Sequence, residues 1–393
     1  MKRIFNFSLL LFIGALMSVS CNKADRTLDT PPAAVSERGS IVVSISPDGT
    51  STKAPSTSTD EFRLGSVQVF VFNATSGKCE TDKYVINPSS SITLSTLVGE
   101  KKVWAVANSP RLYVASETAL KESVSYLGDN SVNALVMVGV AGAASPGVLP
   151  HVAGTVAVSN YVPGDNTTMT PVTIPIYRLC ARVSLKQVTV NFKGTRLEGS
   201  TFVIRDVYMK DVVNAVHIDG SPVDLLSSDF WTNRITDHEP NGGGIYVDAK
   251  GTSVSSLLCD KGLMLQASAT DGSAPIQVNR NWYVYPNSCT ENSVSSTWSP
   301  RHSRIVIHAQ VTNSRLGIFD EDTYYAFSLP TANVPSESAN VLLSNHTYDI
   351  TNIAVSILGK PDDEDDTLSE TGRADVTVSV QGWYEPYEIT YAL

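Results

Sequence analysis

Val67-Gln68-Val69-Phe70-Val71-Phe72 alternates valine with Gln68, Phe70 and Phe72. That period of two belongs to a β-strand and not to a helix. The same signature recurs on both sides of it. Upstream, Gly39 to Pro47 places Ile41, Val43 and Ile45 on one face, with Val42 and Ser44 on the other. Downstream, Ser91 to Leu97 reads as a strand, and Lys102 to Asn108 is nearly continuous in apolar residues, the mark of a central strand. Ala134–Val140 and Val152–Val158 follow, separated by a Gly/Ala/Pro turn region. Short strands punctuated this densely by Asn, Gly and Pro predict an all-β chain of sandwich type. The best helical window, Glu117 to Leu127, is short, with Leu120, Val124 and Leu127 on one face.

The length predicts two domains. Tyr161 to Pro175 is a polar, proline-bearing connection, so the boundary is placed near residue 175, between an N-terminal β-sandwich over 39–175 and a C-terminal one over 176–393. The second opens with the hydrophobic run Ile176–Val190, punctuated by Arg178, Arg182 and Lys186. Its further strands are expected at 201–209, 212–218, 257–267, 277–285, 303–311, 324–329, 346–357, 374–380 and 387–393.

The first residues set the compartment. Lys2 and Arg3 precede an apolar run from Phe5 to Met17, and Ser18-Val19-Ser20 leads to Cys21. That order is a secretory signal over 1–20, too short and too near the N-terminus to be a convincing membrane span. Cleavage before Cys21 would leave its sulfur as a lipid attachment point. Two or more acyl chains there would anchor the chain stably to a membrane. Residues 21–38, rich in Asp, Thr, Pro, Ala and Ser, read as a flexible tether.

Composition excludes several function classes. The net charge is −10, and −12 once Lys2 and Arg3 are gone. Without a clustered basic surface, a nucleic-acid partner is excluded. After Cys21 the remaining cysteines, Cys79, Cys180, Cys259 and Cys289, are scattered without a C-x-x-C pair, which argues against a zinc site and implies no disulfide framework. There is no G-x-S-x-G elbow, no H-E-x-x-H, no phosphate-cradling loop and no dinucleotide fingerprint, so no catalytic residues, metal or cofactor are expected. The acidic run Asp362–Asp366 lacks the alternating ligands and glycine of a calcium loop. Trp231, Trp282 and Trp298 could mark a glycan surface, but a sandwich core needs such residues as well.

The two ends carry the unusual signal. Tyr387 to Leu393 alternates strictly, with Tyr387, Ile389, Tyr391 and Leu393 on one face. Chain ends are ordinarily polar and frayed, so an apolar face there needs a sheet to pack into. At the other end, the first strand is followed by a long polar loop whose basic residues are Lys53 and Arg63. A trypsin-like cut in that loop would free the strand carrying Ile41, Val43 and Ile45, leaving an apolar groove for a strand from another chain.

At this point the chain resembles the fimbrillins, the type V pilus subunits of Bacteroidetes. The resemblance lies in an ordered set: Gly39-Ser-Ile-Val-Val-Ser-Ile45, Val67-Gln-Val-Phe-Val-Phe-Asn73, Val103-Trp-Ala-Val-Ala-Asn108, Ile176-Tyr-Arg-Leu-Cys-Ala-Arg-Val183, Asn345-His-Thr-Tyr-Asp-Ile350 and Val376-Thr-Val-Ser-Val-Gln-Gly-Trp383. It implies tandem transthyretin-like β-sandwich domains and a lipidated outer-membrane precursor. It further implies removal of the first strand by a trypsin-like protease, with Lys53 and Arg63 as alternative sites. Assembly by donor-strand exchange, with copies of itself or related pilins, would then give extracellular fimbriae that support adhesion to an unidentified receptor. Such a subunit is structural and not an enzyme, and the apolar C-terminal strand favours a shaft subunit. The alternatives are a tip or accessory adhesin of the same pilus, or a monomeric outer-membrane surface lipoprotein that binds glycan or protein.

Overall fold

The alternation at 67–72 becomes a strand buried on both faces. In this computed structural model Val67, Val69 and Val71 pack into one core while Phe70 and Phe72 pack into another. The structure describes residues 37–47, 61, 63–88, 91–144, 149–232, 234–235, 246–247, 268–269, 274–289, 300–329, 342–361 and 374–382.

The first part of the described chain runs β1 (Arg38–Pro47), β2 (Ser66–Asn73), β3 (Cys79–Ile86), β4 (Ile92–Leu97), β5 (Gly99–Ala107), α1 (Glu117–Lys121), β6 (Val124–Tyr126), β7 (Met137–Val140), β8 (Val156–Val158) and β9 (Thr170–Arg178). All of these strands but β6 form one sheet, in the order β3-β2-β5-β7-β9-β1-β4, with β8 on β5. β9 belongs to both wings. It runs parallel to β1 from Thr170 to Ile176, then pairs antiparallel with β7 at Tyr177 and Arg178. The sheet thereby turns back on itself, and Ile41, Val43, Leu94 and Ile174 share a core with Val69, Val103 and Ala105. The turn needs close backbone contact: a Cβ on Gly139 of β7 would lie 1.9 Å from the carbonyl oxygen of Pro175.

The remainder runs β10 (Ala181–Val190), β11 (Thr201–Lys210), β12 (Val212–Val213), β13 (Ala215–His217), β14 (Trp231–Thr232), β15 (Arg234–Ile235), β16 (Tyr246–Val247), β17 (Ser268–Ala269), β18 (Ile276–Val284), β19 (Arg304–Asn313), β20 (Ile318–Ser328), β21 (His346–Val355) and β22 (Ala374–Gly382). Two four-stranded sheets result, β18-β10-β21-β22 and β17-β11-β19-β20. Leu185, Tyr348 and Ile350 of one share a core with Phe202, Ile305 and Ile307 of the other. Phe70, Phe72, Trp104 and Val138 from the first sheet enter that same core. β6 also pairs antiparallel with β13, joining the two parts through backbone hydrogen bonds.

The mainly β architecture agrees with the sequence reading, with local differences. The helix stops at Lys121: Ser116 caps its N-terminus by accepting from the Ala119 N–H, and Val124–Tyr126 pairs with β13 instead of continuing it. β3 is not placed from the sequence, because the run Glu80-Thr81-Asp82-Lys83 at its centre is polar, as suits an edge strand with one neighbour. Residues 170–175, read as connection, open β9. Pro171 and Pro175 are tolerated because they share one parity and only β1 pairs with that part of the strand. Val212–Ile218 is broken at Asn214 into β12 and β13, and β20 starts earlier than expected, at Ile318. The strands expected at 257–267 and 387–393 lie outside the described residues.

Gly139→Ala should force β7 and β9 apart. We expect a fall in the thermal midpoint equivalent to about 2–4 kcal/mol, read by circular dichroism; an unchanged midpoint would show that the close approach is dispensable.

Candidate functional site

β1 is seated between two strands and is not at an edge. It pairs antiparallel with β4 from Arg38↔Leu97 to Val43↔Ile92, and parallel with β9 from Ile41↔Thr170 to Pro47↔Ile176. Ile41 and Val43 are fully buried in the first core, and Ile45 packs against it half-buried. The Ser40 hydroxyl donates to the Leu94 carbonyl at 3.3 Å. At Gly39, bridged to Asn160, an added Cβ would meet Val158 Cγ1 at 2.4 Å. The three apolar side chains foreseen in the sequence therefore do lie together on one face.

One carboxylate holds the wall of this seat. Glu80 on β3 accepts from Thr96 Oγ1 (2.7 Å) and the Leu97 N–H (3.2 Å) of β4, from Lys101 Nζ (2.8 Å) of β5, and from Asn73 Nδ2 (3.0 Å) of β2. Lys101 is almost wholly buried, its side chain 1 % exposed. Burial alone would raise the Glu80 carboxyl, but the hydrogen bonds from Lys101, Thr96, Asn73 and Leu97 outweigh it and bring the group below its ordinary value. β4 is thus fastened to β3 and β5 at its far end, independently of β1.

The chain entering β2 is pinned at two points. The Glu61 side chain is buried at 3 % exposure. Its carboxylate accepts from the Tyr283 hydroxyl at 2.5 Å and from Arg182 Nη1 at 3.2 Å, while its main-chain carbonyl accepts from Arg178 Nη2 at 3.1 Å. Next, Asn108 Nδ2 donates to the Arg63 carbonyl at 2.8 Å, and Asn108 Oδ1 accepts from the Gly65 N–H at 2.8 Å. Asn108 adopts a left-handed backbone (φ 59°), which asparagine tolerates better than most residues.

With the seat of the first strand described, the comparisons can be set beside it. Residues 38–178, from the start of β1 to the end of β9, match the family model for the major fimbrial subunit protein FimA. Over that stretch, somewhat more than a third of the chain, the sequence is similar to the FimA family. The description of that family is of a fimbrial subunit. The fold is similar to a fimbrilin from Porphyromonas gingivalis (TM-score 0.58, 14 % identity, 88 % of this chain and 97 % of that one). It is also similar to candidate cell adhesion proteins from Parabacteroides distasonis (0.58, 16 %, 90 % and 100 %) and Bacteroides eggerthii (0.55, 16 %, 88 % and 96 %). At these identities the likeness concerns the fold alone. No curated protein matches the sequence.

Arg63 is the one candidate cleavage residue within the described part. Its side chain is exposed while its carbonyl is held by Asn108. Cys21, Lys53, Tyr387, Ile389, Tyr391, Leu393 and Cys259 lie outside the described residues. Cys79 and Cys180 are free thiols, and burial pushes the Cys180 thiol up to about 12, while Cys289 Sγ lies 3.5 Å from His302 Nδ1. Trp231 and Trp282 are buried, so neither offers a glycan platform. Among the described residues no group of three or more His, Cys, Asp or Glu is arranged to hold a metal. Glu61, Glu80 and Asn108 escaped the sequence reading. Only Asn108, a polar residue closing an apolar strand, gave a signal that could have been used.

Glu80→Gln should destabilise the fold by on the order of 3 kcal/mol at pH 7, because the buried Lys101 loses its counter-charge. The folded carboxyl lies below its ordinary 4.5, so its contribution is complete above that pH and lost as pH falls through the folded value. Urea titrations of both proteins between pH 7 and pH 3 should converge at the acid end; a constant gap would remove the ion pair as the cause.

Proposed function

We propose that the chain is a shaft subunit of a cell-surface fimbria, assembled by exchange of its first strand for the C-terminal strand of another copy. The precursor is exported by the signal over 1–20, lipidated at Cys21 and tethered to the outer membrane through residues 21–38. Two β-sandwich domains of transthyretin type follow, with their boundary near residue 175. One observation carries the reading: β1 is inserted between β4 and β9. Its departure would leave a slot with a hydrogen-bonding strand on either side and an apolar floor. Vacating the seats of Ile41 and Val43 forgoes about 1.5–3 kcal/mol each, so the slot is driven to refill. Glu80 keeps the β4 wall in place meanwhile. Seven residues, Tyr387 to Leu393, match in number the seven-residue register between β1 and β9.

The pinning of Arg63 favours the other of the two alternative cuts. A serine protease must bring the scissile carbonyl to its own oxyanion donors, and the Arg63 carbonyl is bonded to Asn108. We therefore place the cut after Lys53. It separates β1 from β2 while leaving Glu61 with the mature chain.

Limited trypsin digestion of the purified precursor tests this. The expected product begins at Ala54 and goes on to form SDS-resistant ladders or filaments, seen by intact mass and electron microscopy. Deleting residues 387–393 should leave a folded monomer that is cut normally and never polymerises. A cut chain that stays monomeric would instead favour a surface lipoprotein acting alone, and normal fibres from the deletion would sink the donor assignment.

A further inference from the structure

Glu61 is an unusual residue to find buried. It belongs to a polar stretch, yet it is bonded to three separate strands: Arg178 at the end of β9, Arg182 in β10 and Tyr283 in β18. Two of these are guanidiniums, Arg178 on the main-chain carbonyl and Arg182 on the carboxylate, and hydrogen bonds with a charged partner are stronger than neutral ones. Tyr283, buried and bonded to the carboxylate, is pushed well above the ordinary range of a phenol, so it remains a hydrogen-bond donor at any physiological pH. Main chain and side chain of Glu61 are both engaged, so the residue can neither slide nor rotate without breaking several bonds together. Asn108 supplies the second point of attachment, gripping the Arg63 carbonyl and the N–H groups of Gly65 and Ser66. Its own amide nitrogen also donates to the Leu135 carbonyl at 2.9 Å.

We infer that Glu61 is a latch that marks where the removable part of the chain ends, protecting the Arg63–Leu64 bond from proteolysis so that an exposed arginine beside β2 is not a cutting site. The inference rests on the reading that β1 is released by a cut ahead of Glu61. Two consequences follow from the geometry. A protease needs several residues around the bond drawn out into its cleft, and here the residues two before and one after the bond's arginine lie between fixed points. Moreover, a cut after Arg63 would carry Glu61 away with β1, taking from Arg182 its carboxylate partner and from Arg178 the main-chain carbonyl it donates to. Glu61 acts through the chain it holds, so it is a positioning residue.

The test uses the full precursor and trypsin, with each cleaved bond timed by mass spectrometry. In the wild type, the Lys53–Ala54 bond should be cut at least tenfold faster than Arg63–Leu64. In Glu61→Ala the Arg63–Leu64 bond should accelerate at least tenfold, and Asn108→Ala should do the same. The Arg304–Ile305 bond, inside β19, reports global opening. If it accelerates as much as Arg63–Leu64, the variant has merely loosened the fold and the latch is refuted. An Arg63–Leu64 bond equally resistant in the wild type and in Glu61→Ala refutes it too. Polymer formation is not read in this assay. A precursor that is latched at Arg63 but never forms fibres would therefore overturn the shaft reading and leave the latch standing.

Discussion

Two strands without a polar face impose the plan of the molecule. β2 and β5 are buried on both sides, so each needs an apolar partner layer above and below. One layer is supplied by the wing of β1, β4 and β9. The other comes from the strands that follow Arg178, whose core takes in Phe70, Phe72, Trp104 and Val106. The arrangement separates two duties. The side facing the later strands is reinforced by the β6–β13 pairing. The side facing β1 is covered by a strand whose only covalent link to the rest of the sheet runs through residues 48–65.

The polar residues that matter are those preserving this separation. Glu80 ties β4 to β3 and β5, and Glu61 ties the approach to β2 to β9, β10 and β18. Each places a carboxylate beside a nearly buried cation, Lys101 in one case and Arg182 in the other. Such pairs contribute little net stability compared with apolar replacements, but removing one partner is costly. Their value lies in position: both fasten segments next to β1 without touching β1 itself.

How far the sequence could be read follows from the range of the forces involved. Strands with a period-two apolar pattern, such as β1, β2, β4 and β5, announce themselves, because side-chain alternation is a local property. β3 does not, since an edge strand needs only one hydrogen-bonded neighbour and can be polar throughout. β9 was half read: Val172, Ile174 and Ile176 alternate correctly, but two prolines argue for a connection until it is known that one side of the strand has no partner there. At the site, the buried triplet Ile41, Val43 and Ile45 was legible. Glu61 was not, because nothing in a polar loop distinguishes the one carboxylate that will meet residues 117, 121 and 222 positions further on.

Gly39 gives the slot a shape as well as a length. Beside it Val158 and the Ser159 carbonyl leave no room for a side chain, while two positions later Ile41 fills a full-sized pocket. The seat therefore tapers, wide at one end and closed at the other. A tapering seat discriminates among occupants by sterics alone: a strand with a bulky residue at the narrow level must stop short or enter shifted by two. The size profile of β1, small and then large, is in effect a key cut against which any replacement strand is measured.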